Sequence, residues 1–445
     1  MKNHQDIIEF FSVTSSSVER QLSICGHIFQ CKIDNLSELP PEKPGWSHWW
    51  RSWLRGARSF PDRSPSRELK IVDVFSGCGG LALGVKEAIS ASGMKVQTKV
   101  AIDIDPGALS AYKHNLSPEK TICVDVKTLV DYQINKWGSE AKFAYPPEII
   151  NKELQGLIGK VDLLIAGPPC EGHSSLNNRT RGEDPRNLLY LDVIALAIAL
   201  RAKAMIIENV PDIVRDKRQI VETAKSLIEK EGYSTDSGIL AMDELGLAQT
   251  RRRLFLAGSK MGLVPFSEIV NVFGGREASD IAWAIEDLID RQDDAMDVPS
   301  TLSSENERRI AWLFENDAYD LPNHMRPLCH KEGHTYPAVY GRMRWDAPAG
   351  TISCGFLSPG RGRYTHPLRQ RTITPREAAR LQGFPDWYTF LSGNGKATTR
   401  TYLAKWIGDA VPPILGYTAA FTVIPGFLPN NNILLEGVDI DGSGT

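Results

Sequence analysis

The sequence predicts an α/β fold, a doubly wound and mostly parallel sheet, with a smaller second domain. From residue 69 onward, short apolar segments alternate with amphipathic ones: LKIVDVF, LALGVKEAISASG and KVQTKVAIDID. This is the pattern of strand–helix–strand units, and it continues through VDLLIAG, KAMIIENV and RRLFLAG. After about residue 259 the alternation stops, and Gly, Pro, His and Arg become frequent. In a sheet of this kind the ligand site lies at the carboxyl ends of the strands.

The chain divides into five predicted segments. They are an N-terminal appendage (1–66), the α/β domain (67–258), the second domain (259–370), a return to the α/β domain (371–425) and a tail (426–445). Within the return, TPREAARLQGFPD predicts a helix that begins at a proline and ties the two domains together by its apolar face. The appendage has no clear periodicity and is rich in Trp and Arg over residues 46–58. Such a stretch can stack on bases and hold phosphates, or it can pack against its own domain, and both interpretations stay open.

Composition excludes several classes of protein. Apolar residues make up 42% of the chain and charged residues 24%, which is ordinary for a globular protein, and no apolar run could span a bilayer. The start, MKNHQDIIEFF, lacks the pattern of a secretory signal, so we expect a cytoplasmic protein. The 7 cysteines are scattered and odd in number, unlike a disulfide framework. The net charge of -3 gives no overall attraction to nucleic acid, so any such contact requires local basic patches.

A glycine-rich turn follows the first predicted strand of the α/β domain, in DVFSGCGGLALG. Gly77, Gly79 and Gly80 would let the backbone turn tightly and bring the start of a helix close to a ligand. Gly77, Gly79 and Ala82 also fit the dinucleotide fingerprint loosely, so a nicotinamide oxidoreductase is an alternative at this point. A simple packing turn is the other alternative.

Acidic residues close the next two predicted strands. Asp103 and Asp105 end the second strand, where a carboxylate can accept hydrogen bonds from ribose hydroxyls. Asp125 ends the third and could meet the exocyclic amine of an adenine, or remain an exposed carboxylate. Together with the glycine turn they predict a nucleoside-containing cofactor.

A cysteine and an acid lie at the ends of two further predicted strands. Cys170 follows Pro168 and a second proline, on a loop whose polar continuation leaves the thiol accessible, and a thiol in such a place can act as a nucleophile. Glu208 ends the next strand and could neutralise negative charge that develops on an attacked ring, or cap a turn. Arg251 and Arg253 share one face of the strand after that and could point at one anionic target, or be solvated.

Two other stretches are rich in arginine. One follows Cys170 and suits a loop that grips phosphates, and the other lies in the second domain among glycine-rich turns. The arginines are Arg179, Arg181 and Arg186 in the first stretch and Arg342, Arg344, Arg361 and Arg363 in the second. Between them, NHMRPLCHKEGH contains His324, Cys329, His330 and His334, but their spacing matches no compact zinc motif, and we expect no metal.

Seven segments in one order resemble the DNA (cytosine-5) methyltransferase family of the bacterial type. They are FSGCGG, DIDPGA, GPPCEGHS, ENV, QTRRR, TPREAARLQGFPD and IGDAVPP, and they cover residues 69–417. The resemblance implies a Rossmann-like methyltransferase fold, S-adenosylmethionine as the cofactor, and double-stranded DNA as the substrate, with the target cytosine flipped out of the helix. It assigns residues 259–370 to target recognition and allows a cognate restriction or defence system as a partner.

The resemblance also implies roles for single residues. Cys170 attacks C6 of the cytosine, Glu208 holds N3 and the exocyclic amine, and Arg253 steadies the base, with Arg251 beside it. The cofactor residues are Phe75 near the adenine, Asp103 at the ribose, Asp125 at the adenine amine, and Gly77, Gly79, Gly80, Ile104, Pro168 and Asp409 around them. The DNA-binding residues are Ser174, Arg179, Arg181, Arg186, Arg342, Arg344, Arg361 and Arg363.

Two departures and two alternatives accompany the resemblance. Glu171 stands where many members carry Gln, and Asp409 where many carry Asn; neither change removes a group that the chemistry requires. One alternative is the same reaction on tRNA, which the long arginine-rich segment between QTRRR and TPREAARLQ disfavours. The other is a catalytically silent DNA-binding regulator, against which the intact Cys170, Glu208 and Arg253 argue.

Overall fold

The computed structural model describes residues 7–61, 64–169, 185–331, 338–391 and 398–429. Its strands are β1 (Ile7–Val13), β2 (Ser17–Ile24), β3 (His27–Asp34), β4 (Phe60–Pro61), β5 (Glu68–Val74), β6 (Lys95–Asp103), β7 (Lys120–Cys123), β8 (Val130–Asp131), β9 (Ile134–Asn135), β10 (Lys142–Phe143), β11 (Glu148–Ile149), β12 (Leu163–Ala166), β13 (Ala204–Asn209), β14 (Ser234–Ala241) and β15 (Arg252–Ser259). Its helices are α1 (Gly45–Leu54), α2 (Gly80–Ala91), α3 (Pro106–Leu116), α4 (Lys152–Gln155), α5 (Leu189–Ala199), α6 (Ile220–Lys230), α7 (Phe266–Phe273), α8 (Ile281–Ile285), α9 (Ser304–Glu315), α10 (Pro375–Leu381), α11 (Arg400–Asp409) and α12 (Pro413–Ala420).

A seven-stranded sheet organises the α/β part of the protein. Its strand order is β14-β15-β13-β12-β5-β6-β7. Strands β5, β6, β7, β12 and β13 pair in parallel, and β15 pairs antiparallel with both β13 and β14. The predicted doubly wound, mostly parallel fold is therefore confirmed.

Helices cover both faces of this sheet. Along β13, Ala204 and Ile206 belong to one hydrophobic core, and Met205 and Ile207 belong to the other, as the two-residue repeat of a strand requires. Helices α2, α3 and α12 supply the first core, and α5 and α6 supply the second. Because helices cover both faces of the sheet, the middle of each parallel strand is mostly apolar. The polar residues of the candidate site therefore lie at the strand ends.

The N-terminal segment forms a sheet of its own, which the sequence did not predict. Strands β1 to β4 pair antiparallel in chain order, and α1 packs beneath them. Trp49, Trp50 and Trp53 of α1 are at most 2% exposed and belong to the same core as α2. The buried guanidinium of Arg20 lies 4.1 Å from the ring centre of Trp49. These three tryptophans cannot stack on bases, so the alternative interpretation, packing within the protein, is the one that the structure supports.

Helix α10 contacts α8, in the segment predicted to be the second domain, and α11, in the predicted return to the α/β domain. It begins at Pro375, as predicted, and Thr374 and Glu377 form a capping box at its start. Arg380 is only 2% exposed and pairs with Asp287 at 2.9 Å and with Asp386 at 2.7 Å. Leaving the buried guanidinium of Arg380 without these partners would cost free energy, so the ion pairs favour the observed packing of α10 against its neighbours.

Candidate active site

The carboxyl ends of the parallel strands bring the predicted site residues to one edge of the sheet. Ala166, at the end of β12, pairs with Val74 of β5 on one side and with Ile207 of β13 on the other. Strand β15 runs the opposite way, and Leu254 near its start pairs with Asn209 at the end of β13. Residues that follow β5, β12 and β13 and those that begin β15 therefore converge.

Glu208 and Arg253 form a mostly buried ion pair at this edge. Arg253 Nε lies 2.8 Å from Glu208 Oε1, and the two side chains are 13% and 8% exposed. Burial raises the pKa of the Glu208 carboxyl, and the positive charges of Arg253 and Arg251 offset only part of the rise. A carboxyl in this setting can hold or share a proton close to neutral pH more readily than an exposed one.

The residues that lead to Cys170 lie beside this pair. The side-chain amide of Asn209 donates to the carbonyl oxygen of Pro168 at 3.3 Å, and a Cβ added to Gly167 would lie 3.6 Å from Glu208 Oε2. Cys170 is two residues beyond Pro168 in the chain. Cys170, Glu171, Ser174, Arg179 and Arg181 lie outside the described residues, and Arg186 is described by its backbone alone.

Arg251 has different hydrogen-bond partners from Arg253, although the positive charges of both act on Glu208. It precedes the first residue of β15, and its guanidinium donates to the carbonyl oxygens of Ile352 at 2.8 Å, Gly408 at 3.1 Å and Ala410 at 3.1 Å. Its side chain is 3% exposed. Arg251 therefore ties the start of β15 to two other backbone segments, one at residue 352 and one at residues 408–410.

The glycine-rich turn after β5 has the tight backbone that the sequence predicted. Gly77 has a φ of 50°, and its N–H donates to Asp103 Oδ2 at 2.8 Å, while a Cβ added there would meet open space. Gly79 has a φ of 97°, and a Cβ there would lie 2.6 Å from Leu116 and 2.8 Å from the hydroxyl of Tyr388. The turn is thus open on one side and tightly packed on the other.

The two aspartates at the end of β6 have different surroundings. Asp105 caps α3: its side chain accepts the N–H groups of residues 107 and 108 and, at 3.0 Å, the indole Nε1 of Trp406. Asp103 is partly exposed and accepts one backbone N–H on each oxygen, from Gly77 and from Asp105. Each Asp103 oxygen keeps capacity for a second donor, so Asp103 is the better candidate for a ligand.

The remaining predicted cofactor residues on β5 to β7 surround these aspartates. Ile104, between them, is 70% exposed, so its apolar side chain is accessible at this edge of the sheet. Phe75 follows β5 directly, has a φ of 54° and is half-buried. Asp125 is exposed, and its carboxylate accepts the N–H of Lys127 at the start of a short helical turn.

Asp409 reaches the same region from the end of α11. Lys405 Nζ lies 3.8 Å from the carboxylates of both Asp409 and Asp105. A Cβ added to Gly80, the first residue of α2, would lie 2.3 Å from the carbonyl oxygen of Val411, so this backbone closes over the glycine turn. Lys405 was missed by the sequence reasoning, although its position four residues before Asp409 on a helix was a usable signal.

Arg342 and Arg363 of the second domain have partners inside the protein. The Arg342 guanidinium lies 4.1 Å from the ring centre of Phe314, and its side chain is 11% exposed. Arg363 donates to the carbonyl oxygen of Tyr319 at 2.8 Å and pairs with Asp320 at 2.6 Å. This differs from the expectation that all the arginines of this stretch face DNA, because these two hold the domain's own backbone together.

Arg344 and Arg361 are the exposed members of the same set. The Arg344 side chain is 56% exposed and lies 3.4 Å from Asp346, which is itself 72% exposed. Arg361 is also exposed. A loose surface ion pair of this kind is worth little, and Arg344 otherwise lies 4.8 Å from the ring centre of Tyr319. Because both side chains are exposed, their donors are accessible to another molecule.

Two further features concern the part of the chain that the structure describes. None of its helices has the length and apolar character needed to cross a membrane. Within the same residues, no group of three or more His, Cys, Asp and Glu could hold a metal ion. Among the residues considered for zinc, His334 and the side chain of Cys329 lie outside the described part.

Comparison with known proteins identifies relatives across most of the chain. The Type II methyltransferase M1.BsuMI of Bacillus subtilis (strain 168) is 40% identical over 388 residues, which cover 87% of this chain and 85% of that protein. The Type II methylase M.HgiDII of Herpetosiphon aurantiacus is 28% identical over 367 residues, with 79% of this chain and 94% of that protein covered.

Solved structures and a family model agree with these relatives. A DNA modification methyltransferase encoded within an E. coli prophage matches with a TM-score of 0.53 and 24% identity, over 81% of this chain and 98% of the other. The S. pombe Dnmt2 methyltransferase matches with a TM-score of 0.53 and 17% identity, over 80% and 99%; at these identities the likeness shows the fold alone. The model of the C-5 cytosine-specific DNA methylases matches residues 69–421. The chain therefore belongs to the C-5 cytosine-specific DNA methylase family and is an enzyme of the DNA (cytosine-5)-methyltransferase class.

Proposed function

We propose that this enzyme methylates C5 of a cytosine flipped out of double-stranded DNA, with S-adenosylmethionine as the donor and a covalent bond between Cys170 and C6. The observation that supports this most is the buried Glu208–Arg253 pair, set beside the backbone of Pro168. The Glu208 carboxyl lies next to the backbone that leads to the Cys170 thiol. An acid in this place suits attack by the thiol on a cytosine ring, because the ring must accept a proton as the bond to sulfur forms. Flipping the base out of the stack costs a few kcal/mol, which contacts to the DNA must offset.

The turn from Phe75 to Gly80 fits the nucleoside part of the donor. Gly77 opens onto free space, Asp103 retains acceptor capacity, and the exposed Ile104 offers an apolar surface for a planar base. We assign Asp125, Pro168 and Asp409 to the rim of the same pocket. When bound, S-adenosylmethionine supplies an electrophilic methyl group.

The chain's own residues carry out the chemistry on the base. The Cys170 thiolate adds to C6 while the Glu208 carboxyl gives its proton to N3, so that C5 becomes nucleophilic and accepts the methyl group. C5 then loses its proton to a base, the sulfur leaves C6, and the proton on N3 returns to Glu208. Arg253 holds the Glu208 carboxylate in place during both transfers.

We further propose that residues 259–370 recognise the target sequence, mainly through Arg344 and Arg361. Arginine reads guanine through paired hydrogen bonds in the major groove, and it also holds phosphates. The relatives named as Type II methyltransferases support a role for this enzyme in restriction-modification, with a cognate restriction system as its partner.

Alanine variants of the four arginines should separate into two classes. Changing Arg344 or Arg361 should affect thermal unfolding less, because both side chains are exposed, although Arg344 also lies 4.8 Å from the ring centre of Tyr319. Each change should cost roughly 1–3 kcal/mol at one base of the target, or weaken all DNA binding and flatten its salt dependence. Changing Arg342 or Arg363 should lower the unfolding temperature, because each holds backbone or ring partners within the domain.

The measurements are thermal unfolding, DNA affinity at several salt concentrations and methylation of a randomised target library. S-adenosylmethionine affinity should be constant across the well-folded variants and serves as the control. If the Arg344 and Arg361 variants both kept wild-type DNA affinity and target preference, these two arginines would not recognise the target, and other residues would have to do so.

Bisulfite sequencing of DNA from cells that express this chain tests the proposed function most directly. We expect 5-methylcytosine at one position of one short sequence, and none in cells that express a Cys170→Ala variant. Bisulfite sequencing of tRNA from the same cells tests the main alternative. Methylation confined to tRNA, or absent from both, would contradict the proposal.

A further inference from the structure

A buried tyrosine supports the glycine-rich turn from the packed side. Tyr388 is 5% exposed, and its hydroxyl donates to the carbonyl oxygen of Cys78, which lies between Gly77 and Gly79. The same hydroxyl is the group that a Cβ at Gly79 would meet at 2.8 Å. The turn thus rests on a polar atom supplied by a segment about 300 residues later in the chain.

The residues on both sides of Tyr388 fix its position. Thr389 exchanges two hydrogen bonds with the side chain of Asn115 on α3: its N–H donates at 3.0 Å, and its carbonyl oxygen accepts at 2.7 Å. Asp386 pairs with Arg380 of α10 at 2.7 Å and with Arg291 at 3.0 Å. The hydroxyl is therefore held in place by α3 on one side and by the domain junction on the other.

The surroundings of this hydrogen bond exclude water. Cys78 is 3% exposed, and Tyr112 and Asp73 beneath the turn are 0% and 1% exposed. Burial raises the pKa of the Asp73 carboxyl well above its usual range, as expected where water is excluded. In such an environment, a carbonyl that loses its donor has no water to replace it, and the backbone must shift to find another.

We infer that Tyr388 is a positioning residue for methyl-donor binding, acting through the Cys78 carbonyl on the conformation of the glycine-rich turn. Tyr388 itself is buried beneath the turn, so its proposed effect on the donor passes through the backbone. The inference rests on the proposed function of the turn as the donor site. It also gives the segment after α10 a role at the cofactor site in addition to its contacts with the second domain.

The test compares Tyr388→Phe with a matched control, Tyr233→Phe. Tyr233 is also buried, at 4% exposure, and its hydroxyl also donates to a backbone carbonyl, that of Ala202 at 2.5 Å. Ala202 lies just before β13, at the end of the sheet opposite the candidate site. Both variants lose the same kind of bond, but only one of these bonds lies at the glycine turn.

Calorimetric titration of each protein with S-adenosylmethionine and with S-adenosylhomocysteine gives affinity without turnover. We expect Tyr388→Phe to weaken both by roughly 5- to 15-fold, the effect of one buried hydrogen bond. The KM for the donor should rise with it, while kcat and DNA affinity should stay within about twofold. Tyr233→Phe should bind the donor like the wild type, although its unfolding temperature should fall by a similar amount.

Each outcome bears on a different claim. If the wild type binds neither ligand, the proposed function fails at the donor site. If the wild type binds them and Tyr388→Phe binds them equally well, the positioning role is overturned. If Tyr233→Phe weakens binding as much as Tyr388→Phe does, general loss of stability explains the effect, and the positioning role is overturned as well.

Discussion

Replacing Cys170 with Ser or Ala should abolish methylation and leave S-adenosylmethionine binding nearly intact. The thiol acts on the base, whereas the proposed donor site is built mainly from the turn after β5 and from residues at the ends of β6 and β7, with Pro168 and Asp409 at its rim. Serine keeps the size of the side chain, but its hydroxyl ionises far less readily than a thiol and is a much weaker nucleophile. Methyl transfer to DNA and calorimetric donor binding, measured on the same preparations, check the two halves of this expectation.

A substrate that traps the intermediate gives an independent check on the nucleophile. DNA with 5-fluorocytosine at the target should form a covalent complex with the wild-type enzyme, because C5 then carries fluorine in place of the proton that must leave. The complex should require the donor and should be absent from both Cys170 variants. Trapping that survives the loss of Cys170, or substantial turnover by either variant, would show that another residue is the nucleophile.

The sheet and its site could be predicted because the relevant signals are local. Each parallel strand is a short apolar run that ends in a turn, and the residue that follows the run lies at the carboxyl edge by topology alone. Gly77, Asp103 and Glu208 could therefore be assigned to one edge before any distance was known. The pairing of Arg253 with Glu208 does not follow from this logic. A further parallel strand would have placed Arg253 at the opposite edge, and the two side chains meet because β15 runs antiparallel to β13.

The N-terminal sheet was missed because a charge interrupts its pattern. On β2, Val18, Arg20, Leu22 and Ile24 alternate and are all buried, as is Ser17 at its start, and the arginine hides the two-residue repeat of apolar side chains. Arg20 is tolerated there because Trp49 and Tyr417 lie against its guanidinium and Glu87 pairs with it at 3.2 Å. Two of these partners lie more than 60 residues away in the chain, so no window of sequence contains them.

The roles of the arginines also depend on contacts between residues that are far apart in the sequence. Arg251 and Arg253 are neighbours on one strand face by spacing, yet Arg251 donates to carbonyl oxygens at residues 352, 408 and 410. Arg342 and Arg344 also alternate along the chain, and only Arg344 is exposed. An arginine carries five donors and a long apolar stem, so its role depends on acceptors that folding brings to it.

Replacing Glu208 with Gln should slow the chemical step by roughly 10²- to 10⁴-fold, the range for loss of general acid–base catalysis, with much less effect on DNA affinity. Glutamine keeps the shape of the side chain but has no proton to give to N3. Glu87→Gln is the matched control, because Glu87 also pairs with a buried arginine, Arg20 at 3.2 Å, at a position away from the strand ends. Single-turnover methylation, with enzyme in excess over DNA and with saturating donor, isolates the chemical step from product release.

The pH dependence distinguishes proton donation by Glu208 from a purely structural contribution. Burial raises the pKa of Glu208, so its protonated form persists to higher pH than that of an exposed glutamate. If that form is the active one, the wild-type single-turnover rate should fall as the pH rises through this raised pKa, and Glu208→Gln should be slow but lack that decline. Glu87→Gln should keep both the rate and the decline. An unchanged rate in Glu208→Gln would reduce Glu208 to a structural partner of Arg253, whereas a slow variant that kept the decline would assign the titration to another group.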